Sequence, residues 1–539
     1  MLAAHACRFD KKSPMKLTHG IKANMPGAIL VAALLLVSGC ASLPVDVERS
    51  ESHALRDTES TRLGQASQAM RKAHPGESGF RPLPNGVEAL LARIVLAEAA
   101  ERSLDVQYYI WHDDLTGRHF AYALLRAADR GVRVRVLLDD VGAWADDEVL
   151  LALDAHANIE IRLFNPVAAR TFRGLGMLAD FSRVNRRMHN KAFVADNQAA
   201  ILGGRNIGDE YFEAHGEVAF GDLDVLTLGT GVDKVSESFD RYWSAPLTIP
   251  VRALLGRGGD AMSLDTLRAA LAAFVEAQRD SPYVAQARAR LAEQLAAGTT
   301  GYYWGKAHLL YDDPGKIERA PTDTEGHLLP QFAGLGLRNE TELLIVSPYF
   351  IPGDAGVAWL RGLVARGVRV TVLTNSLAAT DVGAVHSGYQ RYREPLLEAG
   401  VMLYELRPDM IEHASARPRT SGIGSSRASL HAKTFVFDRR AVFIGSLNLD
   451  PRSVELNTEI GLVCESAPLA EALAGALEKE LDNIAWRLER SVDATGSARI
   501  IWVEKNADGV RRHTEEPGVS AWRKFSVWFL GLLPIESQL

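Results

Sequence analysis

The chain has 539 residues, of which 47% are hydrophobic and 24% are charged. We therefore expect folded domains with apolar cores, and neither a disordered chain nor a protein with many membrane spans. The 60 basic and 67 acidic side chains give a net charge of −7, and three cysteines are too few for a disulfide framework or a cysteine-rich zinc site. This composition argues against a general nucleic-acid binder and leaves room only for a local cationic site.

The N-terminus has the pattern of a secretion signal. Basic residues precede the apolar run Ala28 to Val37, and small residues follow up to Cys40. This run is about half the roughly 20 residues that a spanning helix needs. Val37-Ser38-Gly39-Cys40 resembles the lipobox of bacterial lipoproteins, which predicts a signal peptide over 1–39, lipidation of Cys40 and a polar tether over 40–79. An ordinary cleaved signal with an incidental cysteine is the alternative.

The body contains two similar stretches of alternating apolar residues. In the first, a β-rich run over 104–110 precedes a helical stretch and a second β-rich run over 131–138, which begins with a glycine. In the second, the runs 343–350 and 367–373 have the same relation. Each set predicts a strand, a helix, a glycine turn and a buried strand, which is a βαβ unit on a largely parallel sheet. The sequence therefore predicts a duplicated α/β fold.

Each copy continues into the same polar motif, H-x-K-x4-D followed by G-[GS]-x-N. The first copy comprises His189, Lys191, Asp196 and Asn206, and the second comprises His431, Lys433, Asp438 and Asn448, each 242 positions after its counterpart. A single H-x-K is weak, but two complete copies in one register indicate a duplicated site.

The paired motifs suit phosphoryl transfer. Lysine and amide donors stabilise charge on phosphate oxygens, so Lys191, Lys433, Asn206 and Asn448 are candidate phosphate-binding residues. One imidazole can attack phosphorus and form a phosphohistidine, while the other protonates the leaving oxygen and later deprotonates the acceptor. No metal or other cofactor is needed for this chemistry, because the lysines supply positive charge.

The acidic residues have different predicted roles. A histidine of this kind needs a partner on its other ring nitrogen, and we assign Asp222 and Glu459 to orient the histidines, with Asp224 the alternative to Asp222. Such carboxylates are expected to favour the imidazolium. The motif aspartates Asp196 and Asp438 complete the catalytic signature, but they fall on the strand face opposite the histidines, which favours a structural role.

Two weaker patterns have competing interpretations. Arg183, Arg186 and Arg187 precede the first motif and form either a solvated face or a phosphate clamp. A metal site at the histidines and acids is disfavoured, because a lysine two residues from a ligand repels a cation.

These motifs resemble those of the phospholipase D superfamily. Longer matching phrases, such as LDVQYYIWHDD at 104–114 and IGSLNLDPRSVELNTE at 444–459, are similar to the cardiolipin synthase C-type branch. The resemblance implies two α/β/α sandwich repeats packed face to face around one site, with His189 as the nucleophile, His431 as the general acid and base, and no cofactor. It also implies a phosphatidyltransferase that makes cardiolipin from phosphatidylglycerol and a second phospholipid, either phosphatidylglycerol or phosphatidylethanolamine. Hydrolysis of phospholipid or, less readily, of nucleic acid at the same site is the alternative.

The remaining segments complete the expected organisation. Helices are predicted over 265–279 and 284–297, and five apolar residues from Trp522 to Leu532 fall on one face of a helix that suits a membrane surface, with packing on the protein's own core as the alternative. The expected location is the bacterial cell envelope, as a lipoprotein anchored to the inner or the outer membrane. The predicted units are a signal peptide (1–39), a tether (40–79), a first repeat (80–250), a helical insertion (251–335), a second repeat (336–490) and a C-terminal extension (491–539).

Overall fold

The computed structural model describes residues 42–44, 47–142, 147–170, 172–214, 218–256, 262–297, 301–408, 427–493, 496–506, 509–533 and 536–539. The predicted signal peptide and Cys40 lie outside the described residues. The strands and helices below are numbered in chain order.

Strands β1 to β9 belong to the first half of the chain: β1 Ser78–Leu83, β2 Ser103–Tyr108, β3 Arg133–Asp139, β4 Ile159–Phe164, β5 Ala192–Ala195, β6 Ala199–Gly203, β7 Val218–Gly221, β8 Asp224–Gly229 and β9 Thr248–Pro250. Strands β10 to β20 follow: β10 Tyr303–Tyr311, β11 Glu342–Val346, β12 Arg369–Asn375, β13 Met402–Leu406, β14 Arg427–Leu430, β15 Lys433–Phe437, β16 Ala441–Gly445, β17 Ile460–Glu465, β18 Ala485–Val492, β19 Ala498–Asn506 and β20 Gly509–His513.

The α-helices before residue 300 are α1 Arg62–Ala73, α2 Gly86–Ala99, α3 Leu115–Asp129, α4 Asp147–Asp154, α5 Arg173–Ala179, α6 Phe181–Val184, α7 Thr230–Trp243, α8 Val251–Leu255, α9 Leu264–Ala277 and α10 Pro282–Ala297. Those after it are α11 Leu328–Gly334, α12 Gly353–Ala365, α13 Gly383–Tyr389, α14 Arg393–Glu398, α15 Ala467–Ile484 and α16 Ala521–Leu530. Among the described residues no helix is both long enough and apolar enough to cross a bilayer.

The predicted βαβ units are confirmed in both halves. Strands β2 and β3 pair in parallel across α3, as do β11 and β12 across α12. The turn before the second strand of each unit uses a glycine in the left-handed region, Gly131 with φ 92° and Gly367 with φ 87°. Residues with a Cβ rarely adopt this conformation, which explains why the same turn contains glycine in both copies.

The two halves form one continuous sheet with an internal pseudo-twofold. Its strand order is β9-β4-β3-β2-β5-β6-β8-β1-β10-β17-β16-β15-β11-β12-β13-β18-β19-β20. Only β2-β3-β4 and β11-β12-β13 are parallel, so the sheet is mixed, and the expectation of a largely parallel sheet was wrong. The reason is that the motif strands return as antiparallel hairpins, β5-β6 and β15-β16.

The stretch 251–335, predicted to be an inserted pair of helices, also contains a strand. It contains the two predicted helices, now α9 and α10, and their residues Leu267, Leu271 and Tyr283 pack into the core of the first repeat. Strand β10 follows them, and it pairs with β1 of the first repeat and β17 of the second. The second repeat therefore begins its sheet about 30 residues earlier than its motif pattern indicated.

Candidate active site

The segments that carry the two histidines are joined to the opposite repeat by backbone hydrogen bonds. His189 N donates to Thr458 O at 2.8 Å, and Thr458 N donates to Arg187 O at 2.9 Å. His431 N donates to Gly221 O at 2.8 Å, at the end of the parallel ladder between β7 and β14. Because Thr458 and Gly221 each precede an acidic residue, both crossings bring a carboxylate of one repeat to the histidine of the other.

The two histidine–carboxylate pairs are consequently crossed between the repeats. Glu459 Oε2 lies 2.9 Å from His189 Nδ1, and Asp222 Oδ2 lies 2.6 Å from His431 Nδ1. All four side chains are buried. With Nδ1 next to a carboxylate, Nε2 is in each ring the nitrogen that remains for the reaction. The chain order of the motifs does not indicate that the pairs cross.

Asp224, the alternative to Asp222, has a different role. Its carboxylate lies 2.9 Å from Arg93 Nη2 and 3.5 Å from Arg205 Nη1, in a buried ion-pair cluster. It therefore contacts neither histidine, and this alternative is excluded.

The G-[GS]-x-N segments support the same carboxylates. A Cβ at Gly204 would come within 2.2 Å of Asp222 Oδ1, so the carboxylate occupies the space of a side chain at that position. The second copy has Ser446 there, and its hydroxyl donates to Glu459 Oε2. The second position of the motif is glycine in the first copy, where the Asp222 carboxylate fills the space of a side chain. It is serine in the second copy, where the hydroxyl binds the Glu459 carboxylate.

The two lysines are buried beside the histidines. Lys191 Nζ donates to His189 O at 2.7 Å, and Lys433 Nζ donates to His431 O at 2.5 Å. Lys433 Nζ also lies 3.1 Å from His431 Nδ1. Burial lowers the pKa of Lys191 well below its usual value and that of Lys433 to about 8. Two desolvated ammonium groups can bind a phosphate strongly.

Each motif asparagine keeps one amide atom without a hydrogen-bonding partner among the described residues. Asn206 Oδ1 accepts the amide of Ile110 at 3.1 Å, which leaves Nδ2 unbonded. In Asn448 the buried atom without a partner is Oδ1. Since buried polar groups are normally hydrogen-bonded, such atoms are candidate ligand contacts.

Asp196 and Asp438 do not lie with the other motif residues, and their inclusion among the catalytic residues is corrected here. Each follows a strand, β5 or β15, whose other end is next to the histidine. Asp196 accepts the amides of Glu101, Arg102 and Ser103 at 2.7–3.2 Å. Asp438 accepts the three amides of residues 340–342 at 2.8–3.1 Å. Both aspartates fix the start of the neighbouring strand.

The histidines are less basic than the carboxylate partners alone would make them. Burial, followed by the charges of Lys191 and Lys433, lowers the pKa of His189 well below its usual value. Burial and Lys433 also lower the pKa of His431, against the opposing effect of Asp222. The expectation that the carboxylates favour the imidazolium was therefore wrong for the resting site, because desolvation and the two ammonium charges outweigh them.

The two carboxylates differ in acidity. Burial opposes ionisation of Asp222, but the charges of His431 and Lys433 hold its pKa at about 2. Burial raises the pKa of Glu459 to about 7, against the charge of Lys191. His431 is thus paired with a permanent anion and His189 with a carboxyl that titrates near neutral pH.

The three arginines before the first motif are not a phosphate clamp and do not form a solvated face. Arg187 is buried, and its Nη2 lies 2.7 Å from Asp139, whose other oxygen accepts the amide of Met188. Arg183 pairs with Asp180, and Arg186 donates to backbone carbonyls of residues 317 and 319. These contacts fix the loop that leads into His189.

Aromatic rings around the histidines were missed by the sequence interpretation. The Tyr109 ring centroid lies 5.2 Å from that of His189 in an edge-on arrangement, and Lys191 Nζ lies 5.4 Å from the same ring. Tyr211 and Phe220 each lie 5.2 Å from His431. The position of Tyr109, directly after β2 at the end of the sheet that carries the motifs, was the available signal.

One group among the described residues has the geometry of metal ligands. His112, Asp114 and Glu210 bring ligand atoms within 4.8 Å of one another and are half-buried. His112 Nδ1 lies 3.3 Å from Glu210 Oε1, and Asp114 caps α3. His112 lies within ion-pair distance of both acids, and Asp114 also accepts the amides of Gly117 and Asp209. The histidine–lysine pairs of the motifs are not part of this group.

Comparison with known proteins identifies the family. The family described as cardiolipin synthase, phospholipase D-like domain, matches residues 94–243 and 337–484. Cardiolipin synthase C of Escherichia coli (strain K12) is 44% identical over 485 residues, which cover 88% of this chain and 99% of that protein. A Helicobacter pylori protein is 33% identical over 490 residues, covering 90% and 94% of the two chains.

The fold is also found in a crystal structure of phosphatidylserine synthase from Haemophilus influenzae Rd KW20. The two structures superpose with a TM-score of 0.51 over 80% of this chain and 92% of the other, at 14% sequence identity. This likeness extends to the fold alone. Together with the family match and the 44% identical relative, the two repeats place the chain in the phospholipase D-like cardiolipin synthase family.

Proposed function

We propose that the protein is a phosphatidyltransferase that makes cardiolipin from phosphatidylglycerol and a second phospholipid. The observation that carries this proposal is the crossed arrangement of His189–Glu459 and His431–Asp222 beside two buried lysines. The 44% identity to cardiolipin synthase C over nearly the whole of that protein supports the substrate class.

In the first step His189 Nε2 attacks the phosphorus of a phospholipid. A P–N bond forms, the P–O bond to the head group breaks, and His431 gives a proton to the leaving oxygen. His189 suits the nucleophilic role because its pKa lies well below the usual value, which keeps it unprotonated. The pKa of His431 is also lowered, but the Asp222 anion opposes the lowering, so His431 is the more readily protonated of the two rings and suits the acid role.

In the second step the terminal hydroxyl of phosphatidylglycerol takes the place of the head group. His431 accepts its proton, the oxygen attacks phosphorus, and the P–N bond to His189 breaks, which releases cardiolipin. Lys191 and Lys433 hold the non-bridging phosphate oxygens in both steps, and Asn206 adds an amide donor. Water in place of the hydroxyl would give hydrolysis by the same residues.

Analysis of the lipid products separates transfer from hydrolysis. Purified protein would be incubated with a labelled phospholipid in mixed micelles, with and without phosphatidylglycerol, and the products resolved by mass spectrometry. Transfer predicts labelled cardiolipin only when phosphatidylglycerol is present. Phosphatidic acid alone under both conditions would reject the synthase and favour the hydrolase.

The C-terminal helix supports a membrane-facing surface near this site. In α16 Val527 packs against α13, whereas Trp522, Phe525 and Trp528 are 72%, 50% and 55% exposed. Arg523 donates to Thr380 O, in the loop that follows β12 at the end of the sheet where the histidines lie. Exposed tryptophan and phenylalanine on one helix face suit a bilayer interface.

We propose that the protein acts at a bacterial membrane through the exposed face of α16, and the lipobox-like sequence supports Cys40 as its lipid anchor. A variant with Trp522→Ser and Trp528→Ser is expected to bind anionic vesicles several-fold more weakly than the parent in flotation assays, when both lack Cys40. Trp359→Ser, which changes a tryptophan 51% exposed on α12, serves as the control. Equal binding by all three proteins would reject the surface, and absence of lipid on Cys40 by mass spectrometry would reject the anchor.

A further inference from the structure

The turn that follows β10 surrounds the backbone of Glu459. Asp312 N donates to Glu459 O at 3.0 Å, and Glu459 N donates to Asp312 Oδ2 at 2.8 Å. Tyr242 donates its hydroxyl to Asp312 O at 2.6 Å from the first repeat. The carboxylate partner of His189 is therefore held on both sides of its backbone by one buried aspartate.

A buried lysine completes this arrangement. The short 3-10 helix Pro314–Glu318 returns Lys316 to Asp312, with Lys316 Nζ 3.0 Å from Asp312 Oδ1 and 3.2 Å from Ser453 O. Lys316 and Asp312 are both nearly inaccessible to solvent. A buried ammonium is costly unless it is paired, and its only carboxylate within salt-bridge distance among the described residues is Asp312.

In the first repeat a different cation, Arg205, holds the backbone of the carboxylate partner Asp222. Arg205 donates to Asp222 O at 2.8 Å and to the carbonyls of Leu83 and Tyr211, so its buried guanidinium holds the backbone beside the His431 partner. The position that matches Arg205 in the second copy is Leu447, which is apolar. The second repeat therefore lacks this cation within its motif, and Lys316 supplies one from the segment between the repeats.

We infer that Asp312 and Lys316 are positioning residues that hold Glu459 against His189. This inference rests on the proposed function, in which Glu459 orients the nucleophilic ring. It assigns a role in the reaction to the stretch between the two repeats, in which the sequence showed no chemistry.

Lys316 and Asp312 also act on Glu459 through their charges. Burial raises the pKa of Glu459 to about 7, and Lys316 opposes this rise. Burial likewise raises the pKa of Asp312 to about 7, where Lys316 lowers it and Glu459 raises it. Among the described residues, the charged or titratable groups that interact with Glu459 are His189, Lys191, Lys316, Asp312, Asp450, Lys433 and Tyr109.

The test compares Lys316→Met, which keeps an unbranched side chain but removes the charge, with Lys316→Arg and with Lys306→Met. Lys306 is an exposed lysine on β10 and provides the matched control. The full-length enzyme would be labelled with 15N-histidine, and the ring signals of His189, assigned with His189→Gln, would be followed against pH. The rate of phosphatidyl transfer would be measured over the same range.

Loss of the Lys316 charge is expected to raise the pH midpoint sensed by His189 by about one unit, and to move the acidic limb of the rate profile equally. Lys316→Arg keeps the positive charge, so its pH midpoint should lie close to that of the parent enzyme. Lys306→Met should show no change in the midpoint. Asp312→Asn removes a negative charge and should move the midpoint in the opposite direction, which keeps the test decisive if Lys316→Met fails to fold.

Midpoints for the Lys316 and Asp312 variants equal to that of the Lys306 control would overturn the inference. A drop in rate that is uniform over pH, with no change in the histidine signals, would show a merely structural role and would also overturn it. The protein could also show the expected changes in the His189 midpoint but transfer no phosphatidyl group. That result would reject the proposed function and leave the positioning role in place.

Discussion

Replacement of Asp222 by asparagine tests the crossed pairing most directly. The asparagine keeps the shape of the side chain but removes the anion that lies 2.6 Å from His431 Nδ1. Asp222 comes from the first repeat and His431 from the second, so a defect in the acid step would show that the repeats complete each other's histidines.

The structure gives the size of the expected effect. The pKa of Asp222 falls from its ordinary 3.8 to about 2 despite burial, because His431, Lys433 and Arg205 are positively charged or can become so. The lowering of this pKa corresponds to roughly 2 kcal/mol of preference for the charged neighbours, which His431 shares with Lys433 and Arg205. Loss of the part of this stabilisation that falls on protonated His431 predicts a decrease of roughly tenfold in the step that protonates the leaving oxygen.

Single-turnover measurements with two leaving groups isolate that step. Phosphatidylglycerol releases an alkoxide that needs a proton, whereas a phosphatidyl ester of p-nitrophenol releases an anion that is stable without one. Asp222→Asn should slow head-group release from the first substrate by the full factor and from the second only slightly. Glu459→Gln should slow both substrates, because it acts on the nucleophile His189.

A surface variant, Asp354→Asn on α12, controls for the loss of a carboxylate elsewhere. Equal losses with both leaving groups in Asp222→Asn would refute the assignment of His431 as the acid. A leaving-group dependence in Glu459→Gln in place of Asp222→Asn would show that each carboxylate acts on the histidine of its own repeat.

Three further outcomes are expected. As pH rises through about 8, Lys433 loses its proton, so kcat/KM should fall above that pH and the fall should move upwards in Lys433→Arg; a flat profile to pH 10 would contradict the phosphate-binding role. Asp196→Ala should lower the free energy of unfolding by about 3 kcal/mol, because three amides lose their acceptor, and chemical denaturation should show a smaller loss for the more exposed Asp438→Ala. A chelator should leave transfer intact because the lysines supply the positive charge, whereas activity lost to chelation and restored by a divalent ion would reject this mechanism.

The sequence alone predicted the duplicated α/β fold and the histidines, lysines and asparagines of the candidate active site. Strand runs, glycine turns and the spacing of His, Lys and Asn depend on a few neighbouring residues, and the repetition of one register separated them from chance. The two carboxylates were also found from their positions after the motifs. Local patterns did not reveal the antiparallel return of the motif strands or strand β10.

The tertiary structure decided which groups meet. His431 and Asp222 are 209 positions apart, and His189 and Glu459 are 270 apart, so their pairing depends on how the repeats pack across the pseudo-twofold. The same holds for the ion pair of Lys316 with Asp312, because nothing in the sequence links these residues to Glu459. Composition and spacing describe each copy by itself, whereas hydrogen-bond partners and pKa shifts depend on the distances and burial that packing creates.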